Sequence, residues 1–373
     1  MIPVNTPLLD GNELRYVTEC VKGGWISSEG PFVERFERGI AKCVSRHHGI
    51  AVASGSAALD VAVAALGIEP GDEVIMPTHT IISCAAAVVH AGARPVLVDS
   101  DPATWNMDVG QIEARITSRT KAIMVVHIFG LPVDMDPVLE VASRRGLLVI
   151  EDAAQMIGQT YKGRPCGSFG DISIFSFYPN KHITTGEGGM VLCDDERLAD
   201  RARSFRNLCF QSKRRFVHEE LGWNYRISNL QAALGLAQLE TLPKHLERKR
   251  AIGRRYRKLL AGARGLELPP GDQAYAENIY WVFGLILADD VPFDAEEAMR
   301  RLAGVEVGTR PFFWPMHEQP VFKKMGLFLG ESYPVSERFA RRGFYIPSGL
   351  ALQDAQIDEV ADSVQRLCVK DTD

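Results

Sequence analysis

Short apolar runs alternate with longer amphipathic stretches through the first two-thirds of the chain. The runs at 49–53, 74–76, 95–99, 122–127, 147–151, 172–177 and 190–193 have strand length, and the stretches between them carry apolar residues at helical spacing. Runs that are apolar at nearly every position suit strands covered on both faces, so the pattern predicts a mostly parallel sheet between two helical layers. Helical periodicity begins near Asn12 and lasts to Cys20, where Gly23-Gly24-Trp25-Ile26-Ser27-Ser28-Glu29-Gly30-Pro31 breaks it. From Asn229 to Ala261 the pattern is helical again, with Leu230, Ala233, Leu234 and Ala237 on one face and a basic stretch from Lys244. This reads as the long connection between two domains. Beyond it, 266–268, 279–288 and 305–308 read as strands, and 295–303 and 355–367 as helices. A length of 373 residues exceeds what one core usually serves. The division expected is a large α/β domain over 1–245, with an N-terminal lead-in, and a smaller α/β domain over 246–373.

Composition adds mainly exclusions. The chain is 46% hydrophobic and 24% charged, with 42 Lys+Arg against 47 Asp+Glu spread along it. That balance supplies no basic stripe for a phosphate backbone, so nucleic acid is excluded as a partner. Cys20, Cys43, Cys84, Cys166, Cys193, Cys209 and Cys368 lie far apart, with no C-x-x-C pair and no histidine at zinc-ligand spacing. Reduced thiols and no metal site are expected. No run approaches about 18 uninterrupted apolar residues, and the first residues lack a basic segment followed by an apolar one. The expectation is a cytoplasmic protein with no membrane contact.

Candidate chemistry clusters at the ends of the apolar runs. Ser176-Phe177-Tyr178-Pro179-Asn180-Lys181 carries a strand into a turn, and one lysine stands before the glycine-rich Gly186-Glu187-Gly188-Gly189. A lysine amine forms imines with carbonyl compounds, and desolvation improves it as a nucleophile; the competing reading is a surface lysine in a loop. Glu151-Asp152-Ala153-Ala154-Gln155 follows Leu147-Leu148-Val149-Ile150, so its carboxylates emerge at the carboxyl end of a strand, where open parallel sheets bind ligands. Asp152 suits the pyridinium nitrogen of a cofactor, or else caps a helix. Ser54-Gly55-Ser56-Ala57 joins a strand to a helix, where amides and the helix dipole favour an anion, although small residues there also serve tight packing. Ser176 adds a hydroxyl near the same strand ends. Asn224 lies in a polar, aromatic segment just before a helix, and a cap by Ser228 or Asn229 accounts for part of it.

Taken together these segments resemble the DegT/DnrJ/StrS sugar aminotransferases, which are pyridoxal-5′-phosphate (PLP) enzymes of fold type I, the aspartate-aminotransferase-like fold. The resemblance covers nearly the whole chain. Its markers are Trp25-Ile26-Ser27-Ser28, Gly71-Asp72-Glu73-Val74-Ile75, Glu151-Asp152-Ala153-Ala154, Phe175-Ser176-Phe177 with Lys181, Gly186-Glu187-Gly188-Gly189 and Gly222-Trp223-Asn224-Tyr225-Arg226. The resemblance implies that Lys181 forms the Schiff base and shuttles protons, that Asp152 pairs with the ring nitrogen and that Gln155 sits near the ring hydroxyl. It implies a phosphate held by Gly55, Ser56, Ala57 and Ser176, with Asn224 reaching the cofactor of the neighbouring subunit in a homodimer. Ile81 would face the ring, and Trp25, Ser27, Arg226, Arg310 and His317 would meet the substrate.

Within the family, the run from Lys181 to Met190 looks like enzymes that aminate C4 of nucleotide-linked 4-keto-6-deoxy sugars, with L-glutamate as donor. The stretch from Thr309 to His317, with Gly343-Phe344-Tyr345-Ile346-Pro347-Ser348, looks closest to the branch that converts GDP-4-keto-6-deoxy-D-mannose to GDP-perosamine. A dTDP- or UDP-linked sugar is the alternative, and an O-antigen of lipopolysaccharide, a capsule or a secondary metabolite is the destination. Two positions depart from the pattern: Ile81 stands where an aromatic usually covers the ring, leaving His79 as another cover, and Gln155 stands where the perosamine branch tends to carry Glu. Two rival readings are a sugar dehydratase, in which a histidine replaces the lysine, and a non-catalytic PLP-binding regulator.

Overall fold

The computed structural model describes residues 1–367, so Cys368 lies outside the described residues. Seven strands form the main sheet: β1 (His48–Val52), β2 (Glu73–Pro77), β3 (Arg94–Val98), β4 (Thr120–Val126), β5 (Leu148–Asp152), β8 (Ile172–Ser176) and β9 (Gly189–Cys193). Between β5 and β8 a small hairpin pairs β6 (Thr160–Tyr161) with β7 (Arg164–Pro165). The order across the sheet is β1-β9-β8-β5-β4-β2-β3. β3, β2, β4, β5 and β8 run parallel, while β9 is antiparallel to both β8 and β1.

Alternation along each strand divides the core in two. Ala122, Met124 and Val126 of β4 point to one face, where they meet α3 (Gly55–Ala65), α4 (Ile82–His90) and α6 (Glu196–Arg206). Ile123 and Val125 point to the other, toward α1 (Glu13–Gly23), α2 (Pro31–Cys43), α5 (Met135–Arg145) and α7 (Asn229–Glu240). Both faces are therefore dry, which is why the strands read as nearly continuous apolar runs.

The helical stretch expected over 229–261 is two helices, α7 and α8 (Leu242–Leu259), broken at Thr241. Pro243 in the first turn of α8 has no N–H to continue the preceding helix. The expected domain boundary at 245/246 falls inside α8, so the chain passes between its two sheets along a continuous helix. The second sheet is antiparallel, with β10 (Leu266–Glu267), β11 (Phe283–Leu287), β12 (Arg310–Pro311) and β13 (Gly343–Ile346) in the order β10-β11-β13-β12. α9 (Ala295–Gly304) and α12 (Asp354–Leu367) close its apolar face. α10 (Pro320–Lys324) and α11 (Pro334–Arg342) bring Phe322 and Phe339 into the core cluster of the main sheet.

Two expected strands change. The run over 279–288 pairs only from Phe283 onward, because Tyr280 takes a left-handed φ of 48° and turns the chain before the ladder starts. The segment 305–308 is a single bridge from Val307 to Ile2 rather than a strand, since its amides at 305–307 bond back to the end of α9 and only Gly308 donates to the N-terminal lead-in.

Beneath the carboxyl ends of the parallel strands, buried Glu151 ties three segments together. Its carboxylate accepts the amides of Gly167 at 2.7 Å and Phe169 at 2.8 Å and lies 3.0 Å from His127 Nε2. His127 Nδ1 in turn accepts the amide of Val133 at 3.0 Å. A Glu151→Ala variant strands two buried amides, each at a cost of about 1–3 kcal/mol. The expected outcome is a clearly lower thermal midpoint by circular dichroism; an unchanged midpoint would contradict this account of Glu151.

Candidate active site

Three strand ends converge because glycine lets them. The turn from β1 into α3 lies against the end of β8: a Cβ on Gly55 would stand 2.7 Å from Ser176 Cβ. The glycine-rich loop before β9 passes under the same turn, and a Cβ on Gly189 would stand 2.3 Å from the Ser54 carbonyl oxygen. Neither contact tolerates a side chain, which is the packing reason for glycine in both segments. The result is a cavity of about 380 Å³ at the carboxyl ends of β5 and β8.

Lys181, Asp152, Gln155, Ser176, Gly55, Ser56 and Ile81 all line this cavity. Burial pushes the Lys181 amine down to about 7, opposed chiefly by the negative charge of Asp152. An amine of that kind is a nucleophile and a proton acceptor near neutral pH. Burial pushes the Asp152 carboxyl up, opposed by the Ala154 amide, the Cys84 thiol and Lys181. Asp152 Oδ1 accepts the Ala154 amide at 3.0 Å, and Oδ2 accepts the Cys84 thiol at 3.2 Å. Burial first, and then the charge of Asp152, holds that thiol well above its ordinary value, so it stays a donor. No helix follows β5, which removes the helix-cap reading of Asp152; the bond to Ala154 closes a turn instead. Gln155 Oε1 accepts the Phe129 amide at 2.6 Å, leaving its NH₂ group as the donor for the cavity.

At the start of α3, Ser54 accepts the Ala57 amide at 3.1 Å. Ala57 is buried, with its amide taken up by Ser54, and unlike Gly55 and Ser56 it does not line the cavity. The amides of Gly55 and Ser56, in the first helical turn, have no intrahelical acceptor. The cover at position 81 is aliphatic, as the sequence has it, and His79 does not replace it. His79 is buried among Phe129, Phe312, Phe313 and Phe339, and burial pushes its ring down to about 4.

The expected substrate residues separate. Arg310 lines an annex of about 250 Å³ that shares Tyr178, Asn180, Trp281 and Tyr345 with the main cavity. His317 is inside the fold, 3.0 Å from both Thr78 Oγ1 and Glu337 Oε1, and lines neither space; its ring is needed to join two elements. Trp25, Ser27, Asn224 and Arg226 stand away from the cavity of their own chain. Trp25 and Ser27 lend their carbonyls to Asn229, and Arg226 donates to Asn224 Oδ1 at 2.9 Å. Ser228 is the cap of α7, in a reciprocal box with Gln231. Residues that the sequence reading missed include Cys84, Trp281, Phe313 and Tyr345. Each sits in an apolar or aromatic run that is indistinguishable from core until the chain is folded.

The model of the DegT/DnrJ/EryC1/StrS aminotransferase family matches residues 7–365. The chain belongs to this family. Among its relatives, the GDP-perosamine synthase of Caulobacter vibrioides is 41% identical over 368 residues, 99% of this chain and 98% of its own length. The GDP-perosamine synthase of Escherichia coli O157:H7 is 40% identical over 363 residues, 97% of each chain. The crystal structure of the aminotransferase TlmJ from Streptoalloteichus hindustanus superposes with a TM-score of 0.91 at 31% identity, covering 98% of both chains. The protein is thus a PLP-dependent sugar aminotransferase of fold type I. Its cavity fits that cofactor on its own geometry: a cradle that a Cβ at Gly55 would fill, a half-buried, desolvated amine brought down to about 7, and a buried carboxylate for a ring nitrogen.

The burial of Lys181 has a measurable cost in the cofactor-free protein. Its folded value, about 7, lies below the ordinary 10.5, so the penalty is complete below pH 7 and fades as pH rises toward 10.5. Lys181→Met is expected to raise the thermal midpoint most at pH 6.5 and progressively less toward pH 10. A gain independent of pH would contradict the cause assigned.

Proposed function

We propose that this enzyme transfers the amino group of L-glutamate to C4 of GDP-4-keto-6-deoxy-D-mannose, giving GDP-perosamine and 2-oxoglutarate. The observation that carries the choice of sugar is the near full-length similarity to the two GDP-perosamine synthases. The cavity and its annex supply room beside Lys181 for a substrate larger than an amino acid.

When bound, PLP supplies an electrophilic carbon for the donor nitrogen and a ring that withdraws electrons from the carbon losing its proton. Asp152 would hold the ring nitrogen, Gln155 would face the ring hydroxyl, and Gly55, Ser56 and Ser176 would hold the phosphate. Lys181 Nζ, with both its neutral and its protonated form accessible near pH 7, accepts the α-proton of glutamate and in the return half-reaction delivers a proton to C4 of the sugar. The face from which Nζ delivers it sets the configuration at C4. Phe313 and Trp281 shield the amine from water, and Arg310 offers a cation to the substrate from the annex. Asn224 serves the partner's cofactor in a homodimer, a reading supported by its exposure outside its own cavity. The buried cysteines suit a reducing cytoplasm.

The dehydratase reading requires a histidine where Lys181 stands. His182 is buried, away from the cavity, and so does not supply it.

Product analysis by mass spectrometry and NMR after incubation with PLP, glutamate and GDP-, dTDP- and UDP-linked 4-keto-6-deoxy sugars is expected to find amination of the GDP-linked substrate. Lys181→Arg is expected to lower that rate by roughly 10²–10⁴ or more. Amination of only a dTDP- or UDP-linked sugar overturns the substrate. Cofactor colour that glutamate leaves unbleached favours the regulator. Shared sites have their own test: when inactive Lys181→Ala and Asn224→Ala variants are mixed and allowed to exchange subunits, heterodimers regain one intact site. About a quarter of wild-type activity should return; none returns if each chain builds its own site.

A further inference from the structure

The proposed roles leave the Trp281 ring with nothing more than shielding, yet its side chain and its backbone are both held by hydrogen bonds. Tyr280, with its left-handed φ, turns the chain just before β11 and delivers the indole into the cavity, where it is 4% exposed. Its N–H donates to the carbonyl of Asn180, the residue preceding Lys181, at 2.9 Å. Its own carbonyl accepts from buried Lys249 Nζ at 2.7 Å, and Lys249 also donates to the Ser348 carbonyl at 2.6 Å. The ring is thereby locked to the lysine turn on one side and to the second sheet on the other. Lys181 Nζ lies 3.8 Å from its centroid.

We propose that Trp281 is a positioning residue for proton transfer: the face of its indole receives the Lys181 ammonium whenever the amine is released carrying a proton. The inference rests on the transamination cycle proposed above. A lysine amine rides on a flexible four-carbon stem, and without a fixed partner a released ammonium has no preferred place in a largely apolar cavity. An aromatic face attracts a desolvated cation without neutralising it. A carboxylate at the same distance would bind the proton-bearing form far more tightly and keep the amine from acting as a base. The other charged and titratable groups around Lys181 are Asp152 at the end of β5, Cys84 on α4, Tyr178 and Glu187 from the flanking loops, and Tyr345 of β13. His182 adjoins it, with Lys249 and His245 near that ring.

Shape-preserving fluorination isolates the ring face from its bulk. Electron-withdrawing fluorines drain the indole π-system while leaving its outline and its N–H in place. Tryptophans carrying one to four fluorines would be placed at position 281 by site-specific incorporation. In the cofactor-free protein, the pH dependence of Lys181 acetylation by acetic anhydride, read by peptide mass spectrometry, reports the amine's titration. The expected result is a stepwise fall with fluorine number, up to about 1.5 pH units in total. Lys249, which meets the Trp281 carbonyl and not its ring, should titrate unchanged. In the loaded enzyme, kcat should shift its acid limb in the same direction while KM for glutamate stays constant. A Lys181 titration indifferent to fluorination overturns the proposal and reduces Trp281 to packing. Because the labelling uses neither substrate nor cofactor, that failure is distinct from a wild-type enzyme that fails to aminate the sugar.

Discussion

The site depends on taking a primary amine out of water. A lysine in solvent is an ammonium at neutral pH and neither attacks a carbonyl nor accepts a proton. Half-buried in the turn after β8, Lys181 is desolvated enough to be brought to about 7, where both of its forms are accessible. Much of the local architecture serves that one requirement. Parallel strands supply a rigid floor whose carboxyl ends leave a crevice, and the close approaches at Gly55 and Gly189 draw the α3 turn and the glycine-rich loop together over it. Asp152 stands opposite, itself buried, and its charged form is supported by an amide and a thiol.

A second buried lysine carries a different load. Lys249 of α8 is also pushed down to about 7 by burial, and no carboxylate faces it among the hydrogen bonds it makes. Two carbonyls, from Trp281 and Ser348, offset its desolvation. Those bonds fasten the segments that flank β11 and β13 to the helix linking the two sheets. The second sheet therefore contributes directly to the cavity of the first, through Trp281 and Tyr345, and the annex beside Arg310 opens between them.

The motif residues outside the cavity follow another logic. Trp25, Ser27, Asn224 and Arg226 are held by α7 and its neighbours on the molecular surface, with Asn229 linking the first loop to the helix start. Their backbone bonds give the surface a definite shape without any contact to Lys181 of the same chain. These residues carry the family signature without lining the cavity of their own chain.

The sequence by itself determined the layered α/β architecture, since strands dry on both faces must be apolar throughout and leave a readable alternation with helices. Strand-end position and glycine spacing, which are local properties, singled out Lys181, Asp152, Ser176 and Gly55, and Gln155 came with the family resemblance; the fold brings all five to one cavity. Tertiary structure alone decided which residues close the site. Trp281 and Cys84 read as core until the fold aims one at the lysine and the other at the aspartate. His317, conspicuous as a polar residue in an aromatic run, turns inward to Thr78 and Glu337. The expected strand at 305–308 is a single bridge, and the strand expected from 279 begins only at Phe283, because pairing depends on a partner and on the turn at Tyr280. Periodicity reports what each segment can bury, and only packing settles which neighbour it meets.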